Sequence, residues 1–119
     1  MNKLFPFLIC ILILAGCKKD NLGQEVNAPC PTNNVTYSTT IAGIINTNCL
    51  GCHGYGSPPS GGFSLNSYSG VKAKVDDGRL FGAVSHMQGY VPMPDGAAKL
   101  SQCDINKIKA WIDAGAPNN

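Results

Sequence analysis

Apolar residues along this chain fall into groups with different spacing, and the spacing predicts the elements. Leu4 to Ala15 is a near-continuous apolar run of twelve positions broken only by Pro6, followed by a polar stretch, residues 18–34, with no period of 2 or 3.6. Ser38-Thr39-Thr40 then precede Ile41, Ile44 and Ile45, an i, i+3, i+4 stripe that predicts a short capped helix running to Asn48. Ala42 and Gly43 on that helix leave room for a second helix to cross closely. Further helices are expected near Ser67 to Val75 and Arg79 to Ser85. The last element is the clearest: Ser101-Gln102-Cys103-Asp104 is an S-x-x-D cap, and Ile105, Ile108 and Ile112 form one face with Trp111 beside it. Gly115 fits a left-handed cap and Pro117 stops continuation. The pattern therefore predicts a mainly α chain of three to four short helices joined by long loops.

Composition changes this picture in one respect. Beyond residue 16 only 19 residues are Leu, Ile, Val or Phe, under a fifth of that segment and near the disordered borderline. Net charge there is almost nil, with 8 Lys and Arg against 7 Asp and Glu, so the other half of the disorder signature is missing. One small domain fits, and domains of this size often need a disulfide, metal or cofactor to supplement the core. A large enzyme and a nucleic-acid binder relying on strong positive charge are excluded. No Ser/His/Asp set, phosphate loop or paired-carboxylate constellation is present, and Asp76-Asp77 reads as a solvated helix end.

The start of the chain, a short positive segment, the apolar run and then Leu14-Ala15-Gly16-Cys17, resembles a bacterial lipoprotein signal with its lipobox. Twelve apolar residues are too few for a permanent spanning helix, which needs about 20. The resemblance implies removal of residues 1–16, acylation of Cys17, and export to a membrane surface outside the cytoplasm, with 17–34 as a lipidated tether. Several acyl chains make such anchoring stable, where one chain alone is marginal. Lys18 after Cys17 is not the inner-membrane retention residue familiar from enterobacteria, which points toward the outer membrane.

Six cysteines need a role. Cys10 leaves with the signal and Cys17 takes lipid. Cys49-Leu50-Gly51-Cys52-His53 is C-x-x-C-H, the attachment motif of c-type haem. Two thiols three positions apart on a helical turn can each add to a porphyrin vinyl group, which brings the next histidine under the iron as proximal ligand. Gly51 removes a side chain where the macrocycle edge would pass the backbone. A redox-active C-x-x-C pair and half of a zinc site are the competing readings. The first lacks an alternating strand and helix pattern, and the second lacks another ligand pair at matching spacing. Cys30 and Cys103 are the remaining thiols, and a disulfide between them would staple the end of the tether to the last helix. In the loop-entropy account such a bridge contributes up to about 4 kcal/mol.

The order of a first helix, C-x-x-C-H, loops and a final amphipathic helix resembles a class I cytochrome c domain over residues 35–119. It is closest to small monohaem lipoprotein cytochromes ending in a segment like Trp111-Ile112-Asp113-Ala114-Gly115-Ala116. The resemblance implies terminal helices crossing beside one covalent haem c that itself fills the middle of the fold, and a distal methionine from the loop before the last helix. Met93 answers that description, and Pro92 and Pro94 restrict the backbone on both sides of it. Its thioether is a soft neutral ligand that raises the potential relative to two histidines. His86, giving bis-histidine ligation, and Met87 are the rivals. Phe63, Leu65, Tyr68, Val71 and Val75 are expected to line the porphyrin, a carbonyl near Pro58 or Pro59 to accept the proximal imidazole proton, and Arg79, Tyr90 or Trp111 to meet the propionates. Ligation by His53 and Met93 leaves no open iron position, which implies an outer-sphere electron carrier rather than an enzyme. It would dock weakly with redox partner proteins, alone or as a subunit of a larger complex, and bind no nucleic acid. A haem-based sensor with a displaceable distal ligand, and a haem-free thiol or zinc lipoprotein, are the alternatives.

Overall fold

The structure is a computed structural model that describes residues 29–55 and 60–119. The predicted leader, Cys10, Cys17, most of the tether, and Pro58 and Pro59 lie outside those residues. The described chain is mainly helical and contains no strand.

The first helical segment starts earlier than the serine and threonines suggested. Thr36, with extended backbone, is its N-cap, and its Oγ1 accepts from the Thr39 amide at 3.3 Å. A wide turn follows over Tyr37–Ile41, where the Ile41 amide reaches the Thr36 carbonyl five residues back at 3.1 Å. It runs straight into α1, Ala42–Asn48. Ile41, Ile44 and Ile45 are buried as their spacing predicts. Gly43 is not a crossing point, because a Cβ there would meet nothing. The wide turn, rather than Gly43, is what packs on the last helix.

After Cys49 comes one short helix, α2, Leu50–His53. A tight turn at Ser60–Gly62 precedes α3, Tyr68–Asp76, capped by the Ser67 hydroxyl accepting from the Gly70 amide at 3.3 Å. Gly78, at φ 73°, separates α3 from α4, Arg79–Val84. α5, Gln102–Asp113, begins at the predicted cap, with Ser101 Oγ accepting from the Asp104 amide at 3.0 Å.

The buried face of α5 is Ile105, Ile108 and Trp111, while Ile112, expected on that face, is only half-buried. Trp111 is fully enclosed, with its ring 5.7 Å from that of Tyr37. Its Nε1–H donates to the Pro117 carbonyl at 2.9 Å, so the tail after Gly115 (φ 91°) folds back over the helix end and buries Ala116. Tyr68 reaches the same place, donating to the Ala116 carbonyl at 2.8 Å and packing edge-on against Tyr37. At the other end of α5, Cys103 is disulfide-bonded to Cys30, with Cα atoms 5.5 Å apart.

Beside any space for a porphyrin, these contacts build a protein core of their own. Ile41, Ile45, Val71, Ile108 and Trp111 are fully or almost fully buried against one another, so the centre is packed with protein. Nearly all of the strong core formers among the described residues converge on this cluster or pack against it. Among the described residues no helix is long and apolar enough to cross a membrane. Ile108→Ala, at the centre of this cluster, should cost about 2–5 kcal/mol in urea unfolding. A Cys30→Ser, Cys103→Ser double variant should lose up to about 4 kcal/mol with little change in helical circular dichroism.

Candidate functional site

Beside the packed centre lies a cavity of about 670 Å³, a size typical of sites for cofactors and other small molecules. Leu65, Leu80, Val84 and Leu100 form its boundary with the core. Cys49, at the N-cap of α2, and Cys52 and His53 within it line one part of the cavity, and Met93 with Pro94 line another from the loop before α5. The four residues predicted to hold a cofactor therefore share one space, although about forty positions separate His53 from Met93.

Local sequence explains how α2 is set. The Cys52 and His53 amides both donate to the Cys49 carbonyl, at 3.2 and 2.9 Å, which winds the C-x-x-C-H segment into one turn. The chain then reverses at Gly54, where a Cβ would come 2.3 Å from the Leu50 carbonyl oxygen, so only glycine fits. The open carbonyls at the end of α2 are taken up by the returning strand of chain: the Leu65 amide donates to His53 O at 2.8 Å, and Ser64 Oγ donates to it at 3.2 Å. The His53 ring is buried and stacked on Phe63, centroids 4.5 Å apart. Gly61 (φ 72°) permits that stack, since a Cβ there would lie 2.9 Å from the Phe63 ring. Nδ1 of His53 has no hydrogen-bond partner among the described residues, and the loop expected to supply its acceptor, at Pro58 or Pro59, lies outside them. A Cβ on Gly51 would meet no protein atom, leaving open space on that side of the motif.

Cys49 is half-buried and Cys52 exposed, and both are free thiols while Cys30 and Cys103 are joined. Burial pushes the Cys49 thiol up to about 11, so it is protonated at neutral pH. Among the described residues no three His, Cys, Asp or Glu side chains gather as they would around a metal ion.

Met93 is tied at both backbone groups. Its amide donates to the Ala83 carbonyl at 3.1 Å, and its carbonyl accepts from His86 Nε2 at 3.0 Å. His86 thus reaches the Met93 backbone rather than the cavity wall, and Met87 is 48% exposed and also outside the cavity. Of the three residues weighed as a distal ligand, Met93 alone lines the space.

A charged edge completes the site. Lys74, Asp77 and Arg79 line it, with Lys74 Nζ 3.0 Å from Asp77 and 4.6 Å above the Phe63 ring centroid. Asp77 is the solvated end of α3, as expected, and it also accepts from the Arg79 amide at 3.0 Å; that bond, with Lys74 and Arg79 nearby, holds its carboxyl below the usual range. Tyr90 lies flat over Gly82 and lines the cavity, whereas Trp111 does not, its N–H being committed to Pro117. Tyr68, Val71 and Val75, expected to line the porphyrin, pack instead away from the cavity, while Phe63 and Leu65 do line it. The role of Gly82 had no sequence signal beyond its four-residue spacing from Gly78.

Comparison with protein-family models, with curated proteins and with solved structures gives no match.

Gly82→Ala distinguishes the Tyr90 contact from simple helix propensity. In an exposed helix the change stabilises by about 1 kcal/mol. Here a Cβ would sit 2.5 Å from the Tyr90 ring, so the melting temperature should fall and nuclear Overhauser contacts between Tyr90 and α4 should disappear.

Proposed function

We propose that this protein is a monohaem c-type cytochrome that carries single electrons by outer-sphere transfer, held at a membrane surface outside the cytoplasm. The observation that carries the reading is the convergence of Cys49, Cys52, His53 and Met93 on one largely apolar cavity. The residues present fit the group. The Cys49 and Cys52 thiols are outside the disulfide, the imidazole is buried with Nδ1 unpartnered among the described residues, and the space beside Gly51 is open.

In this reading Cys49 and Cys52 would hold the haem covalently through their sulfurs, and His53 and Met93 would supply the ligands to its iron. Bound haem supplies a one-electron ferrous–ferric couple. The chain's own part is positional. The Ser64 and Leu65 bonds to His53 O hold the imidazole-bearing turn, and Leu65, Leu80, Val84 and Leu100 exclude water, which lowers the local dielectric. Lys74, Arg79 and Tyr90 are the cavity groups suited to propionate carboxylates.

The competing thiol chemistry needs an accessible, low-pKa thiolate, and the upward shift at Cys49 opposes that. Zinc needs its ligands converging at about 2.0–2.3 Å, and Cys30 and Cys103 are unavailable as thiolates in their disulfide. Export and anchoring rest on the resemblance of residues 1–17 to a lipoprotein signal. The redox partners are taken to be proteins that dock weakly and transiently.

Full-length protein from a host competent in haem attachment should stain for covalent haem on a denaturing gel, and colourless protein overturns the reading. Met93→Ala should abolish the red-region absorption of methionine-ligated ferric haem while leaving the covalent stain. Rapid, complete carbon monoxide binding by the reduced wild type, without denaturant, would favour a ligand-binding sensor instead.

A further inference from the structure

Met93 lies between two prolines, so within Pro92-Met93-Pro94 its amide is the only backbone donor. That amide and the Met93 carbonyl are both bonded to the end of α4. The amide donates to Ala83 O at 3.1 Å, and the carbonyl accepts from His86 Nε2 at 3.0 Å. His86 itself folds back onto the same helix end, donating its amide to Ala83 O at 3.1 Å, so Ala83 O receives both segments. Ala83 and Met93 line the same cavity.

His86 adopts φ 54°, a left-handed conformation uncommon outside glycine, which histidine, like Asn and Asp, adopts more readily than other side chains. A glycine would serve the turn as well but would leave the Met93 carbonyl without its donor. The side chain is therefore what the position uses.

We propose that His86 is a positioning residue: its Nε2–H clamps the Met93 carbonyl to the end of α4 and so keeps the thioether inside the cavity. The inference rests on the reading of Met93 as distal ligand. It adds a role for the histidine that would otherwise be weighed as a ligand itself.

The test uses the full-length haem-loaded chain with three substitutions. His86→Gly keeps the left-handed turn and removes the donor, and His86→Asn also tolerates the turn but is too short to reach. His86→Gln retains an N–H at similar reach. The loss of one hydrogen bond should raise the population with Met93 released by roughly two- to tenfold. In His86→Gly and His86→Asn this appears as a weaker red-region ferric band, a lower potential, faster carbon monoxide association and faster hydrogen exchange at the Met93 amide, with His86→Gln restoring each toward wild type. Unchanged band, potential and exchange in both donor-less variants overturns the clamp. So does a His86→Gln variant as impaired as His86→Gly. Failure of the haem reading is separate: wild-type protein would then be colourless, and exchange at the Met93 amide alone would still report whether the clamp exists.

Discussion

The indole of Trp111 sits where the first turn of the fold, the last helix and the C-terminal tail meet, and burying it requires all three. Tyr37 packs against it, the buried isoleucines belong to the same cluster, and its one polar atom is satisfied by the Pro117 carbonyl. An indole N–H left without that acceptor would carry a desolvation cost of roughly 1–3 kcal/mol, which pins the tail at Pro117. Asn119 continues the closure, its carbonyl and side chain accepting from the Ser38 and Tyr37 amides at 2.8 Å. This junction sets where α1 lies. α1 in turn delivers Cys49, which with Leu50 packs against the same cluster, so the position of the C-x-x-C-H segment follows from this packing.

From that starting point the cavity is assembled by two backbone clasps. One holds the end of α2, through Ser64 and Leu65 on the His53 carbonyl, and the other holds Met93 on the end of α4. In both, a chain segment that must place one side chain is bonded through its main chain rather than through that side chain. The imidazole nitrogens and the thioether are thereby left for other partners. Such preorganisation suits the proposed carrier, whose ligands are to keep one geometry in both oxidation states. The glycines at 54, 61 and 82 belong to the same logic, each giving up a side chain at a point where backbone or an aromatic ring must come close.

Much of this was legible in the chain itself. The α1 stripe, the Ser101 cap, the Gly115 turn and the Cys30–Cys103 pairing were readable because each depends on local spacing or on simple elimination. The helices expected near Ser67 to Val75 and Arg79 to Ser85 also form there, although their signal in the chain was weaker than that of the last helix. What the pattern misjudged were contacts between distant segments. Gly43 resembled a crossing point and faces open space, Ile112 matched the helical period but yields its place to Trp111, and Tyr68, Val71 and Val75 resembled cavity lining yet pack away from it. Periodicity assigns a residue to a face, but not to the neighbour that will cover that face.

The chain by itself determined most of its helices, the Ser101 cap, the Cys30–Cys103 pairing and the C-x-x-C-H turn proposed to hold a haem, because helical period, capping geometry and C-x-x-C-H spacing act over a few positions. Only the tertiary structure decided which of Met93, His86 and Met87 lines the cavity, and that Trp111 turns its N–H to the tail. Those outcomes depend on where α4, the proline loop and α5 meet, and separations of up to tens of residues are closed by packing and hydrogen bonds that no local pattern records.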